Sequence, residues 1–250
     1  MITKPVDVHA KRLSFRCILL IYIGIDDTDT PSSRGTGRLA RDIAASLSGI
    51  CEIAGVTRHQ LFVHPAIPYT SHNSSAVIHI RDRQGESLEM IFSHVKKIMC
   101  ESFIEGSDPG LAIARSAEIS PGTREFGILA KKDVVCQDDA RRIADESGII
   151  LEGLGGTEDG VIGALAGIGL ASSRNDGRYV LLGRLRDYSG EQTAQSLLKA
   201  GIDRICTMDN VDVASGTVRV TKFPKPSLRD GAAVLYVERE NGGFRDLKVD

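Results

Sequence analysis

The sequence predicts an α+β fold, and three observations carry that prediction. Short apolar runs rich in β-branched residues alternate with segments whose apolar residues recur at helical spacing. Up to Ala114 they come in the order strand, helix, strand, strand, helix, strand. Beyond Pro121-Gly122 helices and strands continue to mix, with no long repeat and no low-complexity linker.

The 250 residues, 42% hydrophobic and 26% charged, suffice for one large or two small domains. A net charge of -2 gives no overall electrostatic footprint for nucleic acid and leaves only a local patch for it. Cys17, Cys51, Cys100, Cys136 and Cys206 are widely spread without a CxxC, which argues against a zinc site or a disulfide framework and fits a reducing cytoplasm. Lys11, Arg12 and Arg16 before an apolar run imitate a signal peptide, but the run is short and leads directly into acids. No segment reaches membrane-spanning length. Residues 1–16 read as an extension outside the fold.

The first strand is Ile21-Tyr22-Ile23-Gly24-Ile25, and it ends in Asp26, Asp27 and Asp29. Like charges this close must be paired or bound to metal if they are buried. A hard cation such as magnesium takes oxygen ligands and shares them with phosphates. Gly35 and Gly37 allow close backbone approach to an anion, and a helix starting near Arg38, with Leu39, Ile43 and Leu47 on one face, adds unpaired N–H groups. Arg34 and Arg38 are placed to neutralise phosphate. The plainer alternative is an acidic turn in which Asp29 or Thr30 caps the helix.

Val56–Val63 reads as a strand, and the prolines of His64-Pro65-Ala66-Ile67-Pro68-Tyr69-Thr70-Ser71-His72-Asn73 make the next segment a loop. His64 and His72 read as loop or pocket-lining residues. Tyr69 is suited to stacking on a base or guanidinium group, or to the core. Ala76–Ile80 is a strand, Ser87–Phe103 a helix, 106–110 a turn and Leu111–Ala114 a strand, which completes the βαββαβ order called ferredoxin-like. Pro121-Gly122 marks a boundary. A helix over Asp138–Ser147 leads to the glycine-rich loop 153–160. Val161–Leu170 is a buried helix or a very apolar strand, and its Gly163 and Gly167 offer a smooth face for packing. Glu158 and Asp159 suit either a cationic amine or a helix start. Tyr179–Leu182 is a strand, Glu191–Ala200 a short helix, and Val218–Val220 and Ala233–Val237 are strands. Asp209 and Asp212 flank Asn210 in a turn or an acidic contact to an amine or metal. Lys222, Lys225 and Arg229 read as a solvated loop.

Four motifs in order make the chain resemble the archaeal tRNA-isoleucine agmatinylcytidine (agmatidine) synthetases. They are Gly24-Ile25-Asp26-Asp27-Thr28-Asp29 with Thr36; Pro65-Ala66-Ile67-Pro68-Tyr69-Thr70 with Asn73 and Ala76-Val77; Val161-Ile162-Gly163-Ala164-Leu165-Ala166-Gly167-Ile168-Gly169; and Asp209-Asn210-Val211-Asp212. The resemblance implies a kinase-like α/β N-terminal domain, here 17–122, and a ferredoxin-like, amine-binding second domain, here 123–250. It implies that ATP and magnesium activate a cytidine carbonyl oxygen as its phosphate, which agmatine displaces. It assigns Asp26, Asp27 and Asp29 to magnesium and ATP, Thr36 to the phosphoryl site, and Gly24, Arg34, Gly35, Gly37 and Arg38 to the nucleotide. Tyr69, Asn73, Gly160, Gly163, Asp209 and Asp212 are assigned to the substrates.

Three departures qualify it. The chain stops at Asp250, so the family's OB-fold and zinc ribbon are expected to be absent and nucleic acid is not an expected partner for this chain alone. Gly37 stands where the family has a second threonine, and the loop before Val161 is acidic where the family tends to be basic. The expectation is therefore an ATP- and magnesium-dependent phosphotransferase or ligase that couples agmatine or a similar amine to a smaller or different substrate. The alternatives are a non-catalytic protein binding a nucleotide or an agmatine-like metabolite, and a tRNA-modifying enzyme that relies on a partner chain.

Overall fold

The computed structural model describes residues 19–30, 35–69, 72–83 and 85–249. The expected N-terminal extension and Arg34 lie outside the described residues.

The apolar run forms strand β1 (Leu20–Asp26), the centre of the molecule. Helix α1 (Thr36–Leu47), strands β2 (Ile53–Gln60) and β3 (Ser74–Arg81), helix α2 (Leu88–Glu101) and strand β4 (Gly110–Arg115) follow in the expected βαββαβ order. Their strands pair antiparallel in the spatial order β4-β1-β3-β2. Strand alternation divides β1 between two cores. Ile21, Ile23 and Ile25 point to one face and meet Ile43 and Leu47 of α1 and Phe92, Val95 and Met99 of α2. Burying each such isoleucine contributes about 1.5–3 kcal/mol.

Tyr22 and Gly24 point the other way. That face is covered by α5 (Gly160–Ser172), flanked by α3 (Pro121–Leu129) and α4 (Gln137–Ser147). The Val161–Leu170 segment is therefore a helix, buried nearly all round. Its glycines and those facing it bring backbones into contact: a Cβ on Gly24 would stand 2.1 Å from the Ala164 carbonyl oxygen. Strand β5 (Ile150–Gly153) extends the sheet beside β4. The molecule is thus layered helix–sheet–helix over residues 20–172. The expected boundary at 122/123 falls inside α3, whose Ser120 cap and Pro121 start follow helix-entry chemistry.

The remaining strands are β6 (Arg178–Leu181), β7 (Gly190–Thr193), β8 (Arg204–Thr207), β9 (Thr217–Val220), β10 (Ser227–Arg229), β11 (Ala232–Glu240) and β12 (Gly243–Asp246). They continue the sheet from β2 through β6 and close a third core around Leu197, Val218, Leu235 and Val237. Residues 123–250 do not repeat the βαββαβ order. The helix expected over Glu191–Ala200 is divided. Gly190–Thr193 pairs with β9, and α6 (Ala194–Lys199) begins only where the Thr193 hydroxyl accepts the Ser196 N–H at 3.1 Å. No described helix is long and apolar enough to cross a membrane.

Candidate active site

The acids sit where β1 leaves the sheet. Asp27 adopts φ 50°, a left-handed conformation that turns the chain sharply. Asp26, still on the strand, faces α5. Its Oδ2 occupies the space where a side chain on Gly163 would be, 1.6 Å from that Cβ position. A Cβ on Gly160 would stand 2.4 Å from the Asp108 carbonyl oxygen, to which the Gly160 N–H donates at 2.9 Å. Gly160 and Gly163 thus bring the start of α5 against the carboxylates, and both line the pocket formed there.

This pocket, about 200 Å³, gathers Asp26, Asp27, Asp29, Tyr69, Asn73, Gly160 and Gly163, all anticipated from sequence. Asp133, Val134 and Val135 after α3, and Asp159 before α5, also line it. The Asp159 carboxylate is oriented by Gln137 Nε2 at 2.6 Å and the Thr157 hydroxyl at 3.0 Å. Glu158 turns away to Arg141, 2.6 Å distant. Asn73 helps close the wall by donating to the Phe62 carbonyl at 2.6 Å.

The electrostatics are those of crowded acids. Burial first, then Asp27, pushes Asp26 up to about 7, against one backbone hydrogen bond that favours its charge. Burial, then Asp108, Asp29 and Asp159, pushes Asp27 up to about 6. A cationic ligand relieves both. Among the described residues no three acidic, histidine or cysteine side chains converge as a ready-made metal site. Asp26 and Asp27 fit magnesium in the way it commonly binds, through one or two carboxylates plus substrate phosphates and water.

A second cleft adjoins the pocket and shares Asp29, His72 and Ser74 with it. Gly35, Thr36, Gly37 and Arg58 line it. The Thr36 hydroxyl donates to Asp29 Oδ1 at 2.9 Å and receives the Thr28 hydroxyl at 3.1 Å. Gly35, at φ 79°, makes the turn into α1 without a side-chain cap.

Four assigned residues stand elsewhere. Gly24 lies beneath α5, where it permits helix–strand contact rather than touching the cleft. Arg38 reaches along α1 to Asp42 at 3.6 Å. Asp212 is bound by Arg204 at 2.6 Å in the 207–212 turn, and Asp209 is held below the usual carboxylate range chiefly by the Thr207 hydroxyl. That acidic turn lines neither of these two cavities. His64 stacks on Phe62, 5.6 Å between ring centres, outside the pocket.

No protein-family model matches the chain. It is 30% identical over 222 residues to the tRNA(Ile2) 2-agmatinylcytidine synthetase TiaS of Pyrococcus horikoshii, covering 83% of this chain and 50% of that protein. To the enzyme of the same name from Thermococcus sibiricus it is 28% identical over 243 residues, covering 92% and 54%. The chain thus spans about half the length of these relatives. Two solved structures, apo TiaS and the TiaS–tRNA(Ile2)–ATP complex, match its fold with TM-scores of 0.52 and 0.53 at 23% and 24% identity. These matches cover 60% of this chain and 35% and 36% of those chains. Taken with the acidic motif, the Thr36 cleft and the glycine-rich helix, this similarity over most of the sequence relates the chain to the tRNA(Ile2) 2-agmatinylcytidine synthetases, of which it spans about half the length.

Proposed function

We propose that the chain is an ATP-dependent, RNA-modifying ligase that replaces an activated oxygen on a nucleotide with a cationic amine such as agmatine. The observation that carries this reading is the shared wall: an acidic pocket suited to an amine abuts a glycine-and-threonine cleft suited to phosphate, with Asp29 common to both.

Each part supports a defined task. Asp26, Asp27, Asp133 and Asp159 attract a cation, while Ile67, Val134 and Ile162 cover a short methylene chain. An ammonium group must lose a proton before it can attack carbon. A carboxylate of this pocket that does not hold the metal, such as Asp159 or Asp133, is placed to accept that proton. Gly35 and Gly37 leave the backbone at the start of α1 open to a phosphate, and Arg58 lines the same cleft. Asp29 accepts the Thr36 hydroxyl proton in a hydrogen bond, which prepares Thr36 to receive or position a phosphoryl group. Magnesium, when bound, supplies charge neutralisation for the phosphates. Phosphoryl transfer depends chiefly on such positioning and neutralisation.

A relative has been solved as a TiaS–tRNA(Ile2)–AMPCPP–agmatine complex, which favours an RNA acceptor over the smaller or different substrate expected from the missing family motifs and the net charge. The test is incubation with ATP, magnesium, agmatine and a tRNA transcript, followed by nuclease digestion and mass spectrometry. The expected product is an agmatine-bearing cytidine that disappears with Asp27→Asn. Agmatine and ATP binding with no adduct on any nucleotide would favour a binding protein instead.

A further inference from the structure

A cationic surface leads away from the Thr36 cleft along two arms. On one, Arg58 in the cleft wall pairs in register with Arg178 of β6, which pairs with Ser227 of β10. The adjoining loop places Lys225 Nζ 4.8 Å from the centre of the Phe223 ring. On the other, Arg41 Nη1 donates at 2.6 Å to the carbonyl of Gly37, itself a cleft residue.

Arg186 joins the arms. Its guanidinium carbon stands 3.9 Å from the Phe223 ring centre, and its Nη1 donates to the Val180 carbonyl at 3.2 Å. Burial, then Arg186, depresses Arg41. Burial, then Lys248, Arg178, Arg186 and Lys222, pushes Lys225 down to about 8. Among the described residues, Arg186, Lys222, Lys225 and Lys248 form no salt bridge. A chain of net charge -2 has here concentrated cations that repel one another.

Such a row suits a polyanion with regularly spaced charges. A phosphodiester backbone has that spacing, and an aromatic ring beside the cations adds a face for a base or sugar. A membrane would call for apolar side chains reaching outward. None of the large exposed apolar residues among the described ones lies in residues 175–190 or 221–230. We propose that the surface formed by Arg41, Arg178, Arg186, Phe223 and Lys225 is the docking track for the backbone of an RNA whose reacting nucleotide enters the Thr36 cleft. This rests on the RNA-modifying reading above and adds the surface that would hold the RNA.

The experiment measures fluorescence anisotropy of a labelled tRNA transcript with the full chain across a salt series, beside magnesium–ATP binding by calorimetry. Arg186→Gln with Lys225→Gln should weaken RNA binding about tenfold and flatten the log K against log[salt] slope by about 1.5, since each lost phosphate contact removes about 0.7–0.9. Magnesium–ATP binding should not change. Lys222→Gln with Lys248→Gln, at exposed positions, repeats the test on the same surface and should act in the same direction. Unchanged affinity and slope in both pairs would overturn the proposal. So would binding to phosphatidylserine vesicles as strong as that to tRNA. Wild-type protein that binds magnesium–ATP through Asp27 but binds no RNA would overturn this surface and leave the nucleotide chemistry standing.

Discussion

The Asp26 carboxylate lies directly against the Cα of Gly163, with Oδ2 1.6 Å from where a Cβ would begin. Any side chain at Gly163 must therefore move either α5 or the carboxylate. Gly163→Ala should destabilise by about 1–3 kcal/mol through overpacking and should weaken amine binding by displacing Asp26. Gly37→Ala is the contrast. Its Cβ would meet only Arg41 Nη1, at 3.9 Å, and Gly37 lies within α1. It should be neutral or stabilising by up to about 1 kcal/mol. Urea unfolding measures both.

Crowding at the acids also fixes a pH dependence. Asp26 rises from 3.8 to about 7 and Asp27 from 3.8 to about 6 in the folded protein. Between the ordinary and raised values the folded state holds more protons than the unfolded state. The stability linked to these groups is full below about pH 4 and is lost as pH rises to about 7. Asp26→Asn should remove the Asp26 share of this loss, leaving that of Asp27, and exceed the wild type at pH 8 by on the order of 2 kcal/mol. Adding magnesium at pH 8 should raise the Tm of the wild type more than that of the variant.

A buried polar chain behind the sheet predicts the opposite pH trend. The Thr57 hydroxyl lies 2.7 Å from Nε2 of both His59 and His79, and His59 Nδ1 lies 2.9 Å from Asp176 Oδ1. Lys131 binds the other Asp176 oxygen. Burial, then His59, pushes His79 down to about 3. Its contribution to stability is therefore present above about pH 6.5 and is lost as pH falls toward 3. Thr57→Val leaves both imidazoles without that partner and should cost about 2–4 kcal/mol. Thermal unfolding of Thr57→Val and Asp26→Asn across pH 4–8 separates the two trends.

Thr36 tests the cleft. Thr36→Val removes the hydroxyl that joins Thr28 to Asp29, while Thr36→Ser retains it. Turnover should fall at least a hundredfold in the valine variant, about 2.7 kcal/mol of barrier, and be largely restored in the serine variant. Similar activity in all three proteins would remove Thr36 from the chemistry.

The βαββαβ half and the acidic pocket were legible because their signals are local. An apolar run that stops at Asp26, prolines at 65 and 68, and glycines one turn apart at 163 and 167 each announce themselves within ten residues. Asp133, Val134 and Val135 gave no such sign, since only the packing of α3 across the sheet brings that turn to the pocket. Thr57, His59 and His79 read as ordinary strand residues; Asp176, the partner of His59, comes from 117 residues beyond it. Gly24 was assigned to the nucleotide because it stands in a motif, whereas its neighbour across the fold is the Ala164 carbonyl. The basic surface was diluted in sequence among residues 41, 178, 186 and 225, and net charge concealed it.

The central claim is that amine and nucleotide occupy adjoining sites that act together across Asp29. Calorimetric titration of agmatine into the protein, with and without a non-hydrolysable ATP analogue and magnesium, tests it most directly. The predicted result is agmatine binding that strengthens at least fivefold with nucleotide, a coupling of about 1 kcal/mol, and that is lost in Asp27→Asn. Agmatine binding that is absent, or unaffected by both nucleotide and Asp27→Asn, would contradict it.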